Sequence, residues 1–208
     1  MSMFGQEWFE ERYRSAPALW SGQPNPQLVA EVADLPPGTA LDAGSGEGAD
    51  AIWLAERGWR VTAVDFSPTA LQRSTEHAAG RGAQVAGRIE WRQADLTAWV
   101  PPVATFDLVS AQYMHLPPEP RAALFARLAA AVAPGGTLLI VGHDFSDLAA
   151  GAHRPDMPEM FFTAEEVAAS LAQREWEVLV TDARPRPAKV HEGEHIEVHD
   201  AVLVARRL

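Results

Sequence analysis

The stretch from Thr39 to Phe66 restricts the fold more than any other part of the chain. It reads as a short buried strand (Ala40 to Ala43), a loop with glycines at 44, 46 and 48, a helix (Glu47 to Arg57) and a second strand (Arg60 to Val64) that ends on Asp65. The glycines let the backbone turn tightly and let a ligand approach without meeting a Cβ. The helix that follows offers free N–H groups at its start. Asp65 stands 21 residues after Gly44 (65 − 44), near the spacing at which an acid meets a ribose hydroxyl in nucleotide-binding βαβ units. The stretch predicts a site for an adenosine-containing cofactor.

A small departure bears on which cofactor. The dinucleotide fingerprint is G-x-G-x-x-G, and here the third glycine comes one place early, in Gly44-Ser45-Gly46-Glu47-Gly48. Glu47 also sets a negative charge at the mouth of the helix, where a pyrophosphate needs bare N–H groups. That charge suits a ligand with no phosphate and a positive charge, as in the sulfonium and ammonium of S-adenosylmethionine. With Leu41-Asp42-Ala43 before it, the loop resembles the first motif of the class I S-adenosylmethionine-dependent methyltransferases. The loop, the spacing of Asp65 and the later motifs carry the resemblance together.

Composition bounds the alternatives. At 208 residues and 47% hydrophobic, the chain can bury the core of one α/β domain. No apolar stretch approaches the roughly 20 residues of a membrane span, and the first residues lack the pattern of a signal peptide. There are no cysteines, hence no disulfide, thiolate metal site or cysteine nucleophile. The net charge of −11 disfavours phosphate-driven binding to nucleic acid, and the arginines at 12, 14, 184, 186, 206 and 207 read mostly as solvated surface. The expectation is a cytoplasmic protein, monomer or homodimer, with a small-molecule substrate and no nucleic-acid or membrane partner.

Gln6 to Ser15 has aromatic and charged residues at helical spacing and predicts an amphipathic helix. A loop follows, then a helix from Pro26 to Leu35. Ser67 and Pro68 are a good N-cap and first position for a helix to about Gly80. Ile89 to Arg92 and Phe106 to Ala111 read as the third and fourth strands, the latter apolar enough to be central. A helix from Glu119 to Val132, the turn Pro134-Gly135-Gly136 and a strand from Thr137 to Val141 come next. Residues 146–162 show little periodicity and read as a lid or binding loop. Thr163 opens a capping box for a helix to about Ala172, and strands from Glu175 to Ala183 and His195 to Ala205 close the chain.

This order predicts an α/β, doubly wound, Rossmann-like, seven-stranded, mostly parallel sheet with a C-terminal antiparallel hairpin and helices on both faces. One domain spans 1–208, with residues 1–35 as a helical cover and 36–208 as the core. His191, His195 and His199 are spaced as helical metal ligands would be. Their surroundings alternate as a strand, on which four residues span about 13 Å, so no metal site is expected.

The resemblance implies roles for particular residues. Asp42 braces the glycine loop, Gly44, Ser45 and Gly46 approach the methionine part, and Asp65 holds the ribose hydroxyls. Phe66, Asp95 and Leu96 surround the adenine, and Ala111 ends the fourth strand beside them; a turn or cap role is the alternative for Asp95. Trp20-Ser21-Gly22 resembles the N-terminal cover of small-molecule methyltransferases of the tellurite-resistance and thiopurine type. Trp20 either lies over the cofactor or packs on the core edge, and Trp8 is read as packing. The acceptor is expected at the ends of the fourth and fifth strands, where Tyr113, His115 and His143 are candidates to orient or deprotonate it. No Asn-Pro-Pro-Tyr sequence follows the fourth strand, which argues against amino-group methylation of bases or glutamine and leaves O-, S- or oxyanion acceptors. An NAD-dependent oxidoreductase and a non-catalytic S-adenosylmethionine-binding protein are the rival readings.

Overall fold

A computed structural model describes residues 5–148, 158–189 and 195–208, with the side chains of 148, 188, 189, 195 and 196 left aside. Two N-terminal helices, α1 (Gln6–Ser15) and α2 (Pro26–Val32), precede β1 (Thr39–Ala43), α3 (Ala49–Glu56), β2 (Arg60–Asp65), α4 (Pro68–Gly80), the single turn α5 (Ala83–Ala86) and β3 (Ile89–Gln93). The second half runs β4 (Phe106–Gln112), α6 (Pro118–Ala131), β5 (Val132–His143), α7 (Ala164–Ala169), β6 (Trp176–Lys189) and β7 (His195–Arg207). The strands form a seven-stranded sheet in the order β3-β2-β1-β4-β5-β7-β6. The pairs among β1 to β5 are parallel, and β7 runs antiparallel to both β5 and β6. The predicted architecture is the one observed.

The central strands are apolar on both faces because both faces are covered. Along β5, Leu138 and Ile140 join Val109, Ala111, Leu124, Leu128 and Leu203 on one side. Leu139 and Val141 join Leu108, Val61, Leu28, Leu54 and Val202 on the other. Such a strand has no solvent face and reads as a continuous hydrophobic run. The strand order reverses between β1 and β4, so the crevice for a ligand opens at the carboxyl ends of these two strands.

Several boundaries move from those expected. The helix after the glycine loop starts at Ala49, so Glu47 belongs to the loop. Gly48 is its N-cap, with φ of 85° in the left-handed region. A Cβ there would also stand 2.6 Å from the Trp91 ring and 2.9 Å from Ser74 Cβ. The early third glycine is therefore a packing and capping residue. α7 ends at Ala169, short of Ala172, although the Thr163–Glu166 capping box is present. Single 3-10 turns occupy Phe145–Leu148 and Pro158–Met160 of the expected loop, and α5 has no counterpart in the sequence reading. His191 lies outside the described residues, while His199 sits on β7, a strand as expected.

Leu139 is fully buried between the two neighbours of β5, pairing with Ser110 and Val204. Leu139→Ala is expected to lower unfolding free energy by about 3 kcal/mol, measured by urea denaturation with an unchanged slope.

Candidate functional site

The carboxyl end of β1 turns at Gly44 under two backbone bonds, because the N–H groups of Gly44 and Ser45 both donate to Val64 O, at 2.8 and 3.1 Å. Asp65, 5% exposed, completes the turn. Its Oδ2 accepts from Gly46 N at 2.9 Å and its Oδ1 from Ser67 N at 2.9 Å. One carboxylate thus ties the glycine loop to the start of α4. Each oxygen keeps acceptor capacity beyond the bond it makes.

The loop lies in an acidic and dry setting. Asp42, on β1, is buried, and Asp50 and Asp65 lie close enough to oppose its ionisation. Burial first, then these two neighbouring charges, holds the Asp42 carboxyl well above the ordinary aspartate range, against a backbone hydrogen bond from Ala51. Burial likewise raises Asp65 and pushes Asp50 up to about 6. Among the described residues, Asp42 Oδ2 and Ser45 Oγ are buried without a hydrogen-bond partner. An orphaned carboxylate oxygen and hydroxyl beside the glycine loop fit a ligand that brings a cationic donor.

Glu47 plays a different part from the one expected of it. Its carboxylate is 6% exposed and does not face the crevice as a bare charge. Oε2 accepts from Leu19 N and Trp20 N, both at 3.0 Å, and Oε1 pairs with Arg73 Nη1 at 2.7 Å. Trp20 remains 51% exposed, and its Nε1 donates to Tyr13 Oη at 3.0 Å. Both groups stand within 3.3 Å of where a Cβ on Gly46 would lie. Trp20 therefore sits beside the glycine loop. On α1, Phe9 reaches Phe66 across 5.9 Å between ring centroids. The end of Met114 lies against Gly44, in the space a Cβ would take.

Asp95 makes a tight turn, with its Oδ1 accepting from Thr97 N at 2.8 Å and from Thr97 Oγ1 at 2.7 Å. The structure thus gives Asp95 the turn role that was its alternative. Leu96 is buried in the same core cluster as Ala43, Val64 and Ala111. Phe66 is half-buried, and its carbonyl accepts from Gln6 and Gln93 side chains.

The ends of β4 and β5, where an acceptor is expected, carry a run of rings. Tyr113 and His143 lie 4.6 Å apart, His143 and His115 5.4 Å, and His115 and Phe9 6.5 Å. Phe161 closes on His143 at 6.1 Å. Tyr113 has φ of 50°, uncommon for a non-glycine residue. Its ring is held from behind, where its hydroxyl donates to Asp200 Oδ1 at 3.0 Å. Asp200 is fully buried and also accepts from Arg186 Nε, at 2.8 Å to Oδ1, and from Gln27 Nε2, at 3.3 Å to Oδ2. Burial and the Asp200 charge raise the Tyr113 hydroxyl beyond its ordinary range.

All three acceptor-end candidates therefore meet at the ends of β4 and β5. Of the cofactor candidates, Asp42, Gly44, Ser45, Gly46, Asp65 and Phe66 lie at the ends of β1 and β2, while Asp95 and Leu96 follow β3 and Ala111 lies on β4. Sequence reasoning missed Arg73, Ser74, Met114, Asp200, Arg186 and Gln27. A signal existed on α4, where Ala70, Arg73, Ser74 and His77 share one helical face. Ser74 Oγ donates to Gly46 O at 2.9 Å, and the His77 ring meets Glu47 O at 3.2 Å.

A seven-stranded sheet of this order, with a glycine loop and an acid at the end of β2, defines a Rossmann-like methyltransferase fold. Comparison with known proteins agrees. A profile described as a methyltransferase domain matches residues 40–136. The chain is 31% identical, over 169 residues, to a 2-heptyl-1-hydroxyquinolin-4(1H)-one methyltransferase of Mycobacteroides abscessus, covering 74% of this chain and 73% of that one. It superposes with a TM-score of 0.71 on a chain from a study of the conversion of a disulfide bond into a thioacetal group during echinomycin biosynthesis. That chain is 29% identical, with 97% and 91% covered. TehB from Haemophilus influenzae shares the fold at a TM-score of 0.73 and 19% identity, covering 98% of this chain and 67% of that one. The chain belongs to the S-adenosylmethionine-dependent methyltransferases. Its cofactor is S-adenosylmethionine, which displaces the dinucleotide reading. Among the described residues, no helix is long and apolar enough to cross a membrane.

Because the folded protein holds the Asp50 proton more tightly than the unfolded chain does, this group's contribution to stability falls as pH rises from about 4 to about 6 and is level above that. Asp50 Oδ1 accepts from Asn25 N at 2.6 Å, a bond that an asparagine can keep. Asp50→Asn is expected to be more stable than the wild type by about 2 kcal/mol near neutral pH, with the gap closing towards about pH 4. Denaturation across that pH range checks it.

Proposed function

We propose that the protein transfers a methyl group from S-adenosylmethionine to a small-molecule acceptor through an oxygen, sulfur or oxyanion nucleophile. The observation that carries this reading is the run of rings from Tyr113 through His143 and His115 to Phe9 at the mouth of β4 and β5. Such a wall suits a flat, compact acceptor. Two of the similar proteins support it by their described chemistry, a hydroxyquinolinone in one and a disulfide-to-thioacetal conversion in the other.

Bound, the cofactor supplies an electrophilic methyl on a sulfonium, so the protein needs mainly to align an acceptor and exclude water. In this reading Asp42, Gly44, Ser45 and Gly46 hold the methionine part, Asp65 the ribose hydroxyls, and Phe66, Asp95 and Leu96 the adenine. Trp20 covers the loop. Ala111 shapes the floor between β1 and β4, where it pairs with Ala43 and Ile140. Tyr113 orients the acceptor by its ring, since its hydroxyl proton is committed to Asp200. The imidazoles of His143 and His115 are the groups suited to accept a proton from an O–H or S–H near neutral pH.

Calorimetric titration with S-adenosylmethionine, S-adenosylhomocysteine and NAD tests the cofactor half. Binding of the first two and not the third is expected, weakened roughly 10- to 100-fold in Asp65→Ala. A screen of hydroxy-heteroaromatic, phenolic, thiol and oxyanion acceptors tests the other half. With the acceptor that turns over, His143→Ala is expected to lower kcat at least about 100-fold while S-adenosylhomocysteine binding is unchanged. Tyr113→Phe is expected to alter KM more than kcat. Cofactor binding with no turnover of any acceptor class would favour a non-catalytic binder.

A further inference from the structure

We infer that Glu47 and Arg73 are positioning residues of the cofactor site, a clamp that holds the segment from Tyr13 to Trp20 over the glycine loop and must open for the cofactor to exchange. The inference rests on reading that loop as the cofactor site. Two kinds of backbone group converge on this one ion pair. Arg73 Nη2 donates to Tyr13 O at 2.5 Å and to Ala16 O at 2.6 Å, at the C-terminal end of α1. Those carbonyls have no partner within the helix, which is where a cation binds best. Glu47, at the other end of the pair, takes the N–H groups of Leu19 and Trp20. Charge on both partners makes each of these bonds stronger than a neutral one.

The clamp acts on the cofactor site because of what it holds there. Tyr13 Oη and Trp20 Nε1 bond each other directly above Gly46, 3.2 and 3.3 Å from the position of a Cβ. A ligand that approaches the Gly46 backbone must pass under or displace these two side chains. Separate bonds anchor α1 to α4 closer to the start of the helix, where Glu10 accepts from Ser67 Oγ and Thr69 Oγ1, both at 2.5 Å. Opening the Glu47–Arg73 pair would therefore free the Ala16 to Trp20 end while α1 stays tethered. Glu47 sits within the glycine loop and Arg73 on the helix whose Ser74 grips Gly46 O, so the clamp and the loop share one frame.

The test measures S-adenosylhomocysteine release by stopped-flow tryptophan fluorescence on the whole chain, for wild type, Glu47→Gln, Arg73→Lys and the control Glu10→Gln. Glu47→Gln is expected to speed release about tenfold, Arg73→Lys by less, and Glu10→Gln hardly at all. Trypsin should cut Glu47→Gln after Arg12 or Arg14 faster than it cuts the wild type, with thermal midpoints recorded for each. Release at the wild-type rate in both clamp variants, with lowered midpoints, would make the pair a structural fastening and overturn the inference. Failure of the wild type to bind S-adenosylhomocysteine would instead overturn the reading of the site itself.

Discussion

The carboxylate of Asp65 is the constraint on which the rest of the site depends. It accepts from Gly46 on one side and Ser67 on the other, and so fixes β1, the glycine loop and α4 in one geometry. Burial raises its pKa, and the backbone bonds pull against that rise. A shorter or neutral side chain would leave two buried N–H groups with a weaker acceptor or none. In the proposed reading, the group that braces the loop from within is also the one that meets the ribose hydroxyls.

Charge is distributed around this point by burial more than by sequence. Asp42, Asp50 and Asp65 gather within a protein whose net charge is already −11, and burial shifts each of them towards holding its proton. Glu47, nominally a fourth acid in the same place, is neutralised by Arg73 and by two backbone donors. Burial thus sets the character of the first three acids, and an ion pair with two backbone donors sets that of Glu47.

The acceptor end depends on the far end of the chain. Tyr113 adopts a left-handed backbone conformation at the close of β4, and strain of that kind persists only where surroundings over-determine it. The surroundings here are Val141 O, which accepts from Tyr113 N at 2.8 Å, and Asp200 of β7, which takes the hydroxyl. Asp200 is in turn shared with Arg186 of β6 and Gln27 of α2. The C-terminal hairpin thus reaches across the sheet edge to set the ring against which an acceptor would lie.

The sequence by itself determined the sheet, its seven strands and the class of cofactor. Alternating or continuous apolar runs report which faces are buried, and a glycine loop with an acid at Asp65 reports a local geometry that few folds use. It located Tyr113, His115 and His143 at strand ends for the same reason, since strand ends follow from strand periodicity. Only the tertiary structure decided what those residues touch. That Glu47 pairs with Arg73, that Gly48 makes room for Trp91, and that Asp200 holds Tyr113 are contacts between elements 26, 43 and 87 residues apart. Periodicity carries no information about partners at such separations, because their meeting is set by how helices seat on the sheet and not by either local pattern.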